Sequence, residues 1–596
     1  MAGRLRRAQL RVKELSNLDV SHYRVREFAH IGATGFRKSP EADPKELPMS
    51  TETAATATAA RSIRNPVLRG FNPDPSILRV GGDYYLATST FEWYPGVRVH
   101  HSRDLVNWRT RGGIITDGRL LDLRGSGDSN GVWAPDLSYH DGRFHLIYSD
   151  VASFASGYWD PQNFHTSAAS IDGPWSDPVL LHGRGFDASL FHDDDGSTWL
   201  LNLSADWRPG RDRFGGIEIQ RYDLTERRLV GPARLIFTGT EVGMTEGPHL
   251  YRHDGYYWLV TAEGGTSWEH QVTVARSRDL FGPYEADPEG PLLTSLGHPD
   301  LRLQKAGHGS LVRTEDGQWY LAHLTARPAT PLGNCVLGRE TAIQRVDWAP
   351  GGWPRIEGGI PAEEVVAPGL PAHPWPAEPA TDEFTGPDLA PWWSTLRRPA
   401  TPDWVDLTTR PGHLRVRGGQ SPVGRQSPSL VARRVGAEHC ALSTVVEFAP
   451  GDHRQLAGVT AYYNTRNWHY CYLTRADDGR VVLEVLTSDR GRLRGYPEVT
   501  VDAGAATRVG LRAEFDGPVV RFGYDLGAGW RELPVTLDAT ILSDEHAAQV
   551  VDGEPAAWGF TGAFIGLWVQ DLGADGVHAD FAEATYTEGT SGTLLD

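Results

Sequence analysis

The sequence predicts an all-β protein, a five-bladed β-propeller followed by a β-sandwich. Three observations lead to this prediction. A unit recurs five times between residues 70 and 325, polar and apolar residues alternate in segments after residue 381, and no helical pattern of any length follows residue 60. The predicted organisation is a disordered extension over 1–62, a propeller over 63–362, a linker over 363–381 and a sandwich over 382–596.

Each repeat runs from a small loop through an apolar pair and a hairpin turn into an aromatic-rich strand that ends in leucine. The Asp-Gly pairs at several of these turns supply the positive φ angles that a tight hairpin needs. The spacing of 54 to 62 residues between successive closing leucines is typical of propeller blades of four short strands around a central channel. The five closing leucines are Leu86, Leu146, Leu200, Leu259 and Leu321.

One position of the repeat holds residues that a stable core would not select. It lies three or four residues before the first apolar residue of each unit, where the copies carry Asp74, Trp133, Asp187, Glu246 and His308. Because the first strand of a propeller blade lines the axis, we expect these side chains to converge on one cavity. Carboxylates are rarely buried unpaired, and like charges raise one another's pKa. The shared register therefore predicts a chemical site, whereas each residue alone would be an ordinary turn residue.

The two ends of the propeller are marked by changes in composition. Residues 1–62 are charged and then of low complexity, which predicts disorder, and the start codon is either Met1 or Met49. The basic N-terminus lacks the apolar stretch of a secretory signal, which predicts a cytoplasmic protein. The linker is dense in Pro and Ala, and the segments beyond it alternate as half-buried antiparallel strands with a turn signal every 8 to 15 residues, as in a β-sandwich.

Composition and charge exclude several classes of protein. The net charge of −18 argues against nucleic acid or an anionic membrane as partner, and no stretch of 18 apolar residues could form a transmembrane helix. The 20 Trp and 20 Tyr suit the stacking of sugar rings, although most must belong to the core. Neither a disulfide framework nor a zinc site is expected from the cysteines, which are Cys335, Cys440 and Cys471.

Several long motifs carry a family resemblance. They are FNPDPS (71–76), STFEWYPGV (89–97), GVWAPDLSYHDG (131–142), FDASLFHDDDG (186–196), TEGPHLY (245–251), AGHGSLV (306–312) and LGRETAIQ (337–344). These motifs resemble glycoside hydrolase family 43, specifically its β-xylosidase branch, which has a C-terminal concanavalin-like β-sandwich. The resemblance covers the chain from Asn65 to the C-terminus, and the first 60 residues have no counterpart in it. The pattern departs at Ala188, where a Pro is expected.

The resemblance implies a division of labour among the three carboxylates. Hydrolysis of a glycosidic bond needs an acid at the leaving oxygen and a carboxylate that activates water or attacks carbon. The implied route is inverting, with Asp74 as general base and Glu246 as general acid. Asp187 is the implied third carboxylate, which raises the pKa of Glu246 and orients it.

The resemblance also implies residues that bind the sugar or an ion. Arg339 is expected in the sugar subsite beside the acid, where its forked donors can hold two oxygens, while Phe91 and Trp133 form apolar walls. His308 is implied as a ligand of a central, mostly hydrated cation, usually Ca²⁺, with a structural role; its alternative is an ordinary buried histidine. No cofactor is expected for the chemistry itself.

The expected activity is removal of xylose from the non-reducing ends of small β-1,4-xylo-oligosaccharides. Three alternatives stay open: an α-L-arabinofuranosidase or bifunctional enzyme, a retaining fructosidase on the same fold, and a non-catalytic carbohydrate-binding protein. A homo-oligomer also stays open. In the resemblance, the sandwich closes one side of the pocket with an aromatic residue, and the candidates here are Phe560 and Phe564 in the segment 559–572.

Overall fold

A computed structural model describes residues 61–154, 158–504, 506, 508–551 and 554–589. The predicted extension, including Met1 and Met49, lies outside these residues except for its last two positions. Five antiparallel sheets of four or five strands follow one another along the chain, named here blades I to V. The first strand of each blade neighbours the first strands of the two adjacent blades, so the five first strands enclose one axis. This arrangement confirms the predicted five-bladed propeller.

Within each blade the strands follow one another in chain order. The one exception is the short strand Trp93–Tyr94, which lies in the chain between the second and third strands of blade I but pairs with a strand of the sandwich. Leu293–Thr294 also pairs with the third strand of blade IV. The strands are Ser76–Val80, Asp83–Thr88, Gly96–Ser102 and Arg109–Ile115 in blade I; Gly131–His140, Arg143–Ser153, Asp160–Ala168 and Val179–His182 in blade II; Ser189–His192, Thr198–Ala205, Phe214–Asp223 and Arg228–Phe237 in blade III; Glu246–His253, Tyr256–Glu263, Gln271–Ser277 and Glu285–Ala286 in blade IV; Gln304–Arg313, Trp319–Ala326, Arg339–Trp348 and Pro354–Arg355 in blade V.

Polar contacts around the axis join one blade to the next. The buried carboxylate of Asp136 accepts hydrogen bonds from the Ser76 hydroxyl of blade I at 3.2 Å and from the Leu190 amide of blade III at 2.9 Å. The Ile77 amide donates to the Ser310 hydroxyl of blade V at 2.9 Å. Asp136 thus ties three blades together and has a structural position, since its oxygens are used by the scaffold.

The C-terminal part is a two-sheet β-sandwich, which confirms the second half of the predicted fold. A two-stranded sheet of Ser62–Arg64 and Glu364–Val366 lies before it, and Gln549–Val551 pairs with Glu554–Ala557 beside it. One sandwich sheet contains Thr381–Asp382, Val405–Asp406, Leu414–Arg417, His439–Glu447, Arg508–Asp516, Val519–Asp525, Arg531–Glu532, Leu537–Asp538 and His578–Glu588. The other contains Trp93–Tyr94, Ser394–Leu396, Leu430–Arg434, Gln455–Asn464, Asn467–Arg475, Val481–Asp489, Arg492–Gly495, Val501–Gly504 and Phe564–Asp571.

Helices are few and short in the described part of the chain. They are the 3₁₀ turns Glu357–Gly359, Pro497–Val499 and Ala539–Leu542 and the single α-helical turn Asp544–Ala547. None of the described helices has the length and apolar character needed to cross a membrane.

The sandwich and the propeller share one sheet edge and one core. The propeller strand Trp93–Tyr94 pairs with Ser394–Leu396 and so becomes the edge of a sandwich sheet. The Trp93 ring stacks on Phe564 with centroids 3.8 Å apart. The buried cluster that contains both rings is drawn from the two domains, with Phe71, Phe91, Trp133 and Phe186 from the propeller and Leu430, Tyr462, Trp468 and Trp568 from the sandwich. Because this apolar surface is continuous, the sandwich is not a detachable appendage.

Candidate active site

Unusual backbone conformations mark the positions that the repeat singled out. The φ angles of Asp74, Asp187 and His308 are 55°, 56° and 39°, and that of Phe91 is 52°, all in the left-handed region. Non-glycine residues adopt this region at a cost of about 1–3 kcal/mol each, and such residues concentrate at functional sites. Bulges near Trp133, Glu246 and His308 interrupt the pairing of three inner strands. Bulges re-aim side chains and are common next to active sites.

Asp74 lies two residues before the inner strand of blade I and is buried. One carboxylate oxygen accepts a hydrogen bond from the Ser89 hydroxyl at 2.7 Å, and the other accepts one from Arg339 Nη1 at 3.0 Å. These two donors fix the direction of the carboxylate. An oriented carboxylate is what a general base requires.

Arg339 begins the third strand of blade V and joins the propeller to the sandwich. Besides its bond to Asp74, its Nη2 and Nε donate to the carbonyl oxygen of Phe560 at 2.9 and 3.3 Å. The planar guanidinium is therefore held from two sides, with Asp74 on one and the sandwich on the other.

Glu246 and Asp187 form a second acidic pair beside Asp74. Asp187 Oδ2 accepts a hydrogen bond from the amide of Gly247 at 3.1 Å, which ties it to the residue after Glu246. Burial, and then the charge of Asp74, raise the pKa of Glu246 to about 8. Burial, and then the charges of Glu246 and Asp74, raise the pKa of Asp187 well above its usual value. Because burial and the charge of Asp74 act on both groups, the pair retains a proton at neutral pH.

The raised pKa of Glu246 predicts how activity depends on pH. A general acid works while it is protonated, so activity should persist below about pH 8 and be lost as the pH rises through that value. We expect the alkaline limb of a kcat/KM profile near pH 8. If the alkaline limb instead fell between pH 4 and 5, the range of an ordinary carboxyl group, the raised pKa of Glu246 would be contradicted.

His308 is a buried neighbour of Asp74. Its Nδ1 is 3.9 Å from Asp74 Oδ1, and burial lowers its pKa, which favours the neutral imidazole. A β-carbon on Gly247, which has a φ of 58°, would lie 3.0 Å from the ring, so the imidazole packs directly over the backbone beside Glu246. In the described part of the chain, no three His, Cys, Asp or Glu side chains are grouped to hold a metal ion. The donors at hand therefore do not fit a cation with several protein ligands.

Aromatic rings form one wall beside these polar groups. The Phe91 and Trp133 centroids are 5.7 Å apart, and Arg339 Cζ lies 5.4 Å from the Phe91 ring. Trp133 also contacts Phe154 and Phe186 at 4.8 and 5.4 Å. The sequence predicts Phe91 and Trp133 as wall residues, and the structure places both there, although the repeat itself does not identify Phe154 and Phe186.

Phe560, from the sandwich, completes this wall. Its ring lies 5.4 Å from that of Trp133 and 6.2 Å from that of Phe91. Its amide donates to the Ser129 hydroxyl at 3.1 Å, and the Ser129 carbonyl in turn accepts from the indole of Trp133 at 3.1 Å. Phe564 instead belongs to a fully buried strand that stacks on Trp93. Of the two candidates, Phe560 is the one beside the site.

We expect Phe560→Ala to lower kcat/KM by roughly tenfold, because the aromatic wall opens while the backbone bond to Arg339 remains. The thermal midpoint should change little, since the Phe560 ring is only partly buried. The matched control is Phe564→Ala, which leaves a cavity in the shared core and should destabilise the fold by about 3–5 kcal/mol. Loss of stability without loss of kcat/KM in Phe560→Ala would contradict this placement.

Known proteins are similar to the chain over both of its domains. Residues 63–354 match the family described as "Glycosyl hydrolases family 43", and residues 381–587 match "Beta xylosidase C-terminal Concanavalin A-like domain". A "Xylan 1,3-beta-xylosidase" of Vibrio sp is 45% identical over 542 residues, which cover 88% of this chain and 99% of the relative. A "Xylosidase/arabinosidase 43B" of Humicola insolens is 43% identical over 527 residues, 87% of this chain and 96% of the relative.

A solved structure is similar over the same range. It is the xylan beta-1,4-xylosidase from Bacillus halodurans C-125, with a TM-score of 0.85, 47% sequence identity, and coverage of 88% of this chain and 100% of that one. The similarity spans both the propeller and the sandwich.

Proposed function

The chain belongs to glycosyl hydrolase family 43 and is a glycosidase, and from this premise we propose an inverting exo-β-xylosidase that releases xylose from the non-reducing ends of β-1,4-xylo-oligosaccharides. The observation that carries the proposal is the buried group of Asp74, Asp187 and Glu246, in which Glu246 has a pKa raised to about 8 beside the Arg339-bound carboxylate of Asp74. Two carboxyl groups of opposite protonation are what glycoside hydrolysis needs.

In the proposed mechanism, Asp74 accepts a proton from a water molecule as that water attacks the anomeric carbon. Glu246 gives its proton to the leaving glycosidic oxygen, so that one bond forms, one breaks and no net proton is consumed. Asp187 holds the backbone beside Glu246 in position by accepting the hydrogen bond from Gly247. Arg339 orients Asp74 and offers donors at the sugar.

Exo action is supported by the wall that the sandwich adds. Phe560 and the Arg339 contact to its carbonyl close one side of the cavity, which favours chain ends over the middle of a polymer. The β-1,4 linkage needs a test of its own, because one similar protein is named for β-1,3 xylosides and another for β-1,4 xylosides. Comparing β-1,4-xylobiose with β-1,3-xylobiose tests it, and faster cleavage of the β-1,3 isomer would overturn the β-1,4 assignment.

The second candidate is an α-L-arabinofuranosidase, or both activities in one site. The name "Xylosidase/arabinosidase 43B" of a relative that is 43% identical favours it. Side-by-side kinetics on 4-nitrophenyl β-D-xylopyranoside and 4-nitrophenyl α-L-arabinofuranoside decide the ranking. We expect the higher kcat/KM on the xyloside, and the reverse order would replace the main proposal by the second.

We propose further that the bond cleavage needs no cofactor, because the carboxyl groups supply both proton transfers. A mostly hydrated Ca²⁺ beside His308 would be structural, and a loss of thermal stability on chelation that Ca²⁺ reverses would support it. A cytoplasmic location with imported oligomers as substrates is also a proposal. The three cysteines are free and buried, which suits a reducing compartment.

A further inference from the structure

A second cleft lies where blade I, the linker and the sandwich meet. Its volume is about 660 Å³, within the usual range for sites of small ligands, which often occur at domain interfaces. Asn72 and Arg98 line it from the propeller, Trp375 from the linker and Arg434 from the sandwich. The described residues that line this cleft do not include Asp74, Asp187 or Glu246, so it is separate from the sugar pocket.

The cleft is positive in a strongly negative protein. The five arginines on its wall outnumber the two glutamates, although the whole chain carries a net charge of −18. Burial lowers the pKa of its histidine, His100, well below the usual value, so that ring adds no charge at neutral pH. The arginines are Arg69, Arg98, Arg109, Arg433 and Arg434, and the glutamates are Glu378 and Glu588.

Two of these arginines are buried side by side. Arg98 and Arg434 are 4% and 8% exposed, and both donate to the same hydroxyl oxygen of Ser394, at 3.1 and 3.0 Å. Among the described residues, neither forms an ion pair with a carboxylate. Burial lowers the pKa of Arg98 to about 10, and burial and the charge of Arg98 lower that of Arg434. The charge of Glu378 acts favourably on Arg98 but does not outweigh its burial. Two neighbouring buried cations without a directly bonded carboxylate are costly, and an anion between them would offset that cost.

The same wall carries buried donors without acceptors. Within the described part of the chain, Arg434 Nη2, Arg433 Nε and Trp375 Nε1 are buried and have no hydrogen-bond partner. A buried donor left unsatisfied costs about 1–3 kcal/mol, and more when it is charged. Three such donors on one cleft indicate acceptor oxygens that the protein itself does not supply.

We propose that this cleft binds a small ring-shaped ligand that carries an oxyanion, either a carboxylate, as in a sugar acid, or a phosphate. Among the described residues, Arg434 Nη2 and Arg433 Nε have no partner and can donate to the oxygens of either anion, while Arg433 Nη2 lies 3.8 Å from Glu378. Three half-buried indole rings line the same cleft and suit the apolar face of a sugar ring. They belong to Trp108, Trp375 and Trp392.

The cleft is connected to the catalytic base through the backbone. Arg434 Nε donates to the carbonyl of Phe71, three residues before Asp74. Asn72, also on the cleft wall, contacts His100 Nε2 through its side-chain oxygen at 3.1 Å. A ligand on Arg434 would therefore lie behind the loop that carries the base, where it cannot compete with a sugar in the pocket.

Titration calorimetry on the full chain tests the site, with sodium D-glucuronate and inorganic phosphate as probes and sodium chloride at matched ionic strength as blank. We expect saturable binding of at least one probe in the millimolar range or tighter. Binding should weaken at least tenfold in Arg434→Gln and in Arg433→Gln. If glucuronate binds more tightly than phosphate, the ligand is a sugar acid. If phosphate binds more tightly, the ligand is phosphorylated.

The controls separate this site from the sugar pocket and from misfolding. Arg103→Gln changes an exposed arginine paired with Asp83 and should bind the probe as the wild type does. Arg433→Gln lies outside the catalytic machinery, so its thermal midpoint and kcat should match the wild type. The proposal is overturned if neither probe binds the folded wild type, if both variants bind it unchanged, or if the probe raises KM as a competitive inhibitor.

Discussion

Replacing Asp74 by alanine should lower kcat by a factor of about 10²–10⁴ on every substrate, because the base that activates water is removed whatever the leaving group is. The carboxylate is buried and bound by Ser89 and Arg339, so no neighbouring group can take its place without moving. Steady-state kinetics on xylobiose and on nitrophenyl xyloside measure the loss.

The control for this change is Asp194→Ala, in an exposed hairpin turn of blade III, which should keep the wild-type kcat. A thermal midpoint close to that of the wild type shows that Asp74→Ala is folded. If purified Asp74→Ala turned over as fast as the wild type, the activity would come from a contaminant or from another base. That result would contradict the role of Asp74 and favour the alternative of a non-catalytic carbohydrate-binding protein.

Replacing Glu246 by alanine should also collapse turnover, but to an extent that depends on the leaving group. Protonation matters most for a poor leaving group, so the loss should reach about 10²–10⁴ on xylobiose and be much smaller on 2,4-dinitrophenyl xyloside. The measurement is a plot of log kcat against the pKa of a series of aryl leaving groups. A steeper negative slope in the variant than in the wild type identifies the acid, and parallel lines would show that Glu246 does not protonate the leaving oxygen.

The repeat made much of the fold and of the acidic site predictable. One register position recurs at each inner strand, and a propeller has only one axis for those strands to face, so the proximity of Asp74 and Glu246 follows from periodicity alone. The roles of these groups came from the resemblance and from the chemistry of carboxylates. The structure adds that Asp74 is the neighbouring charge that acts most strongly on Glu246, whereas burial, and then the charges of Glu246 and Asp74, raise the pKa of Asp187 itself.

The contacts made across the two domains could not be predicted from the sequence. Phe560 and Phe564 lie four residues apart in one apolar segment. Because the strand begins at Phe564, Phe560 lies outside it, and its ring is 5.4 Å from that of Trp133. The pairing of Trp93–Tyr94 with the sandwich sheet joins residues about 300 positions apart, and no local pattern signals it. Ser129 lies in no motif and becomes recognisable only through its partner Phe560. Ser89 begins the motif STFEWYPGV, but its contact with Asp74 appears only in the structure.

The stereochemistry of hydrolysis tests the central claim most directly. Proton NMR during the first minutes of hydrolysis of 4-nitrophenyl β-D-xylopyranoside records which anomer of xylose appears before mutarotation mixes the two. With Asp74 activating water and Glu246 protonating the leaving oxygen, α-D-xylose should appear first. If β-D-xylose appeared first, the enzyme would be retaining, and Asp74 would be a nucleophile and not a general base.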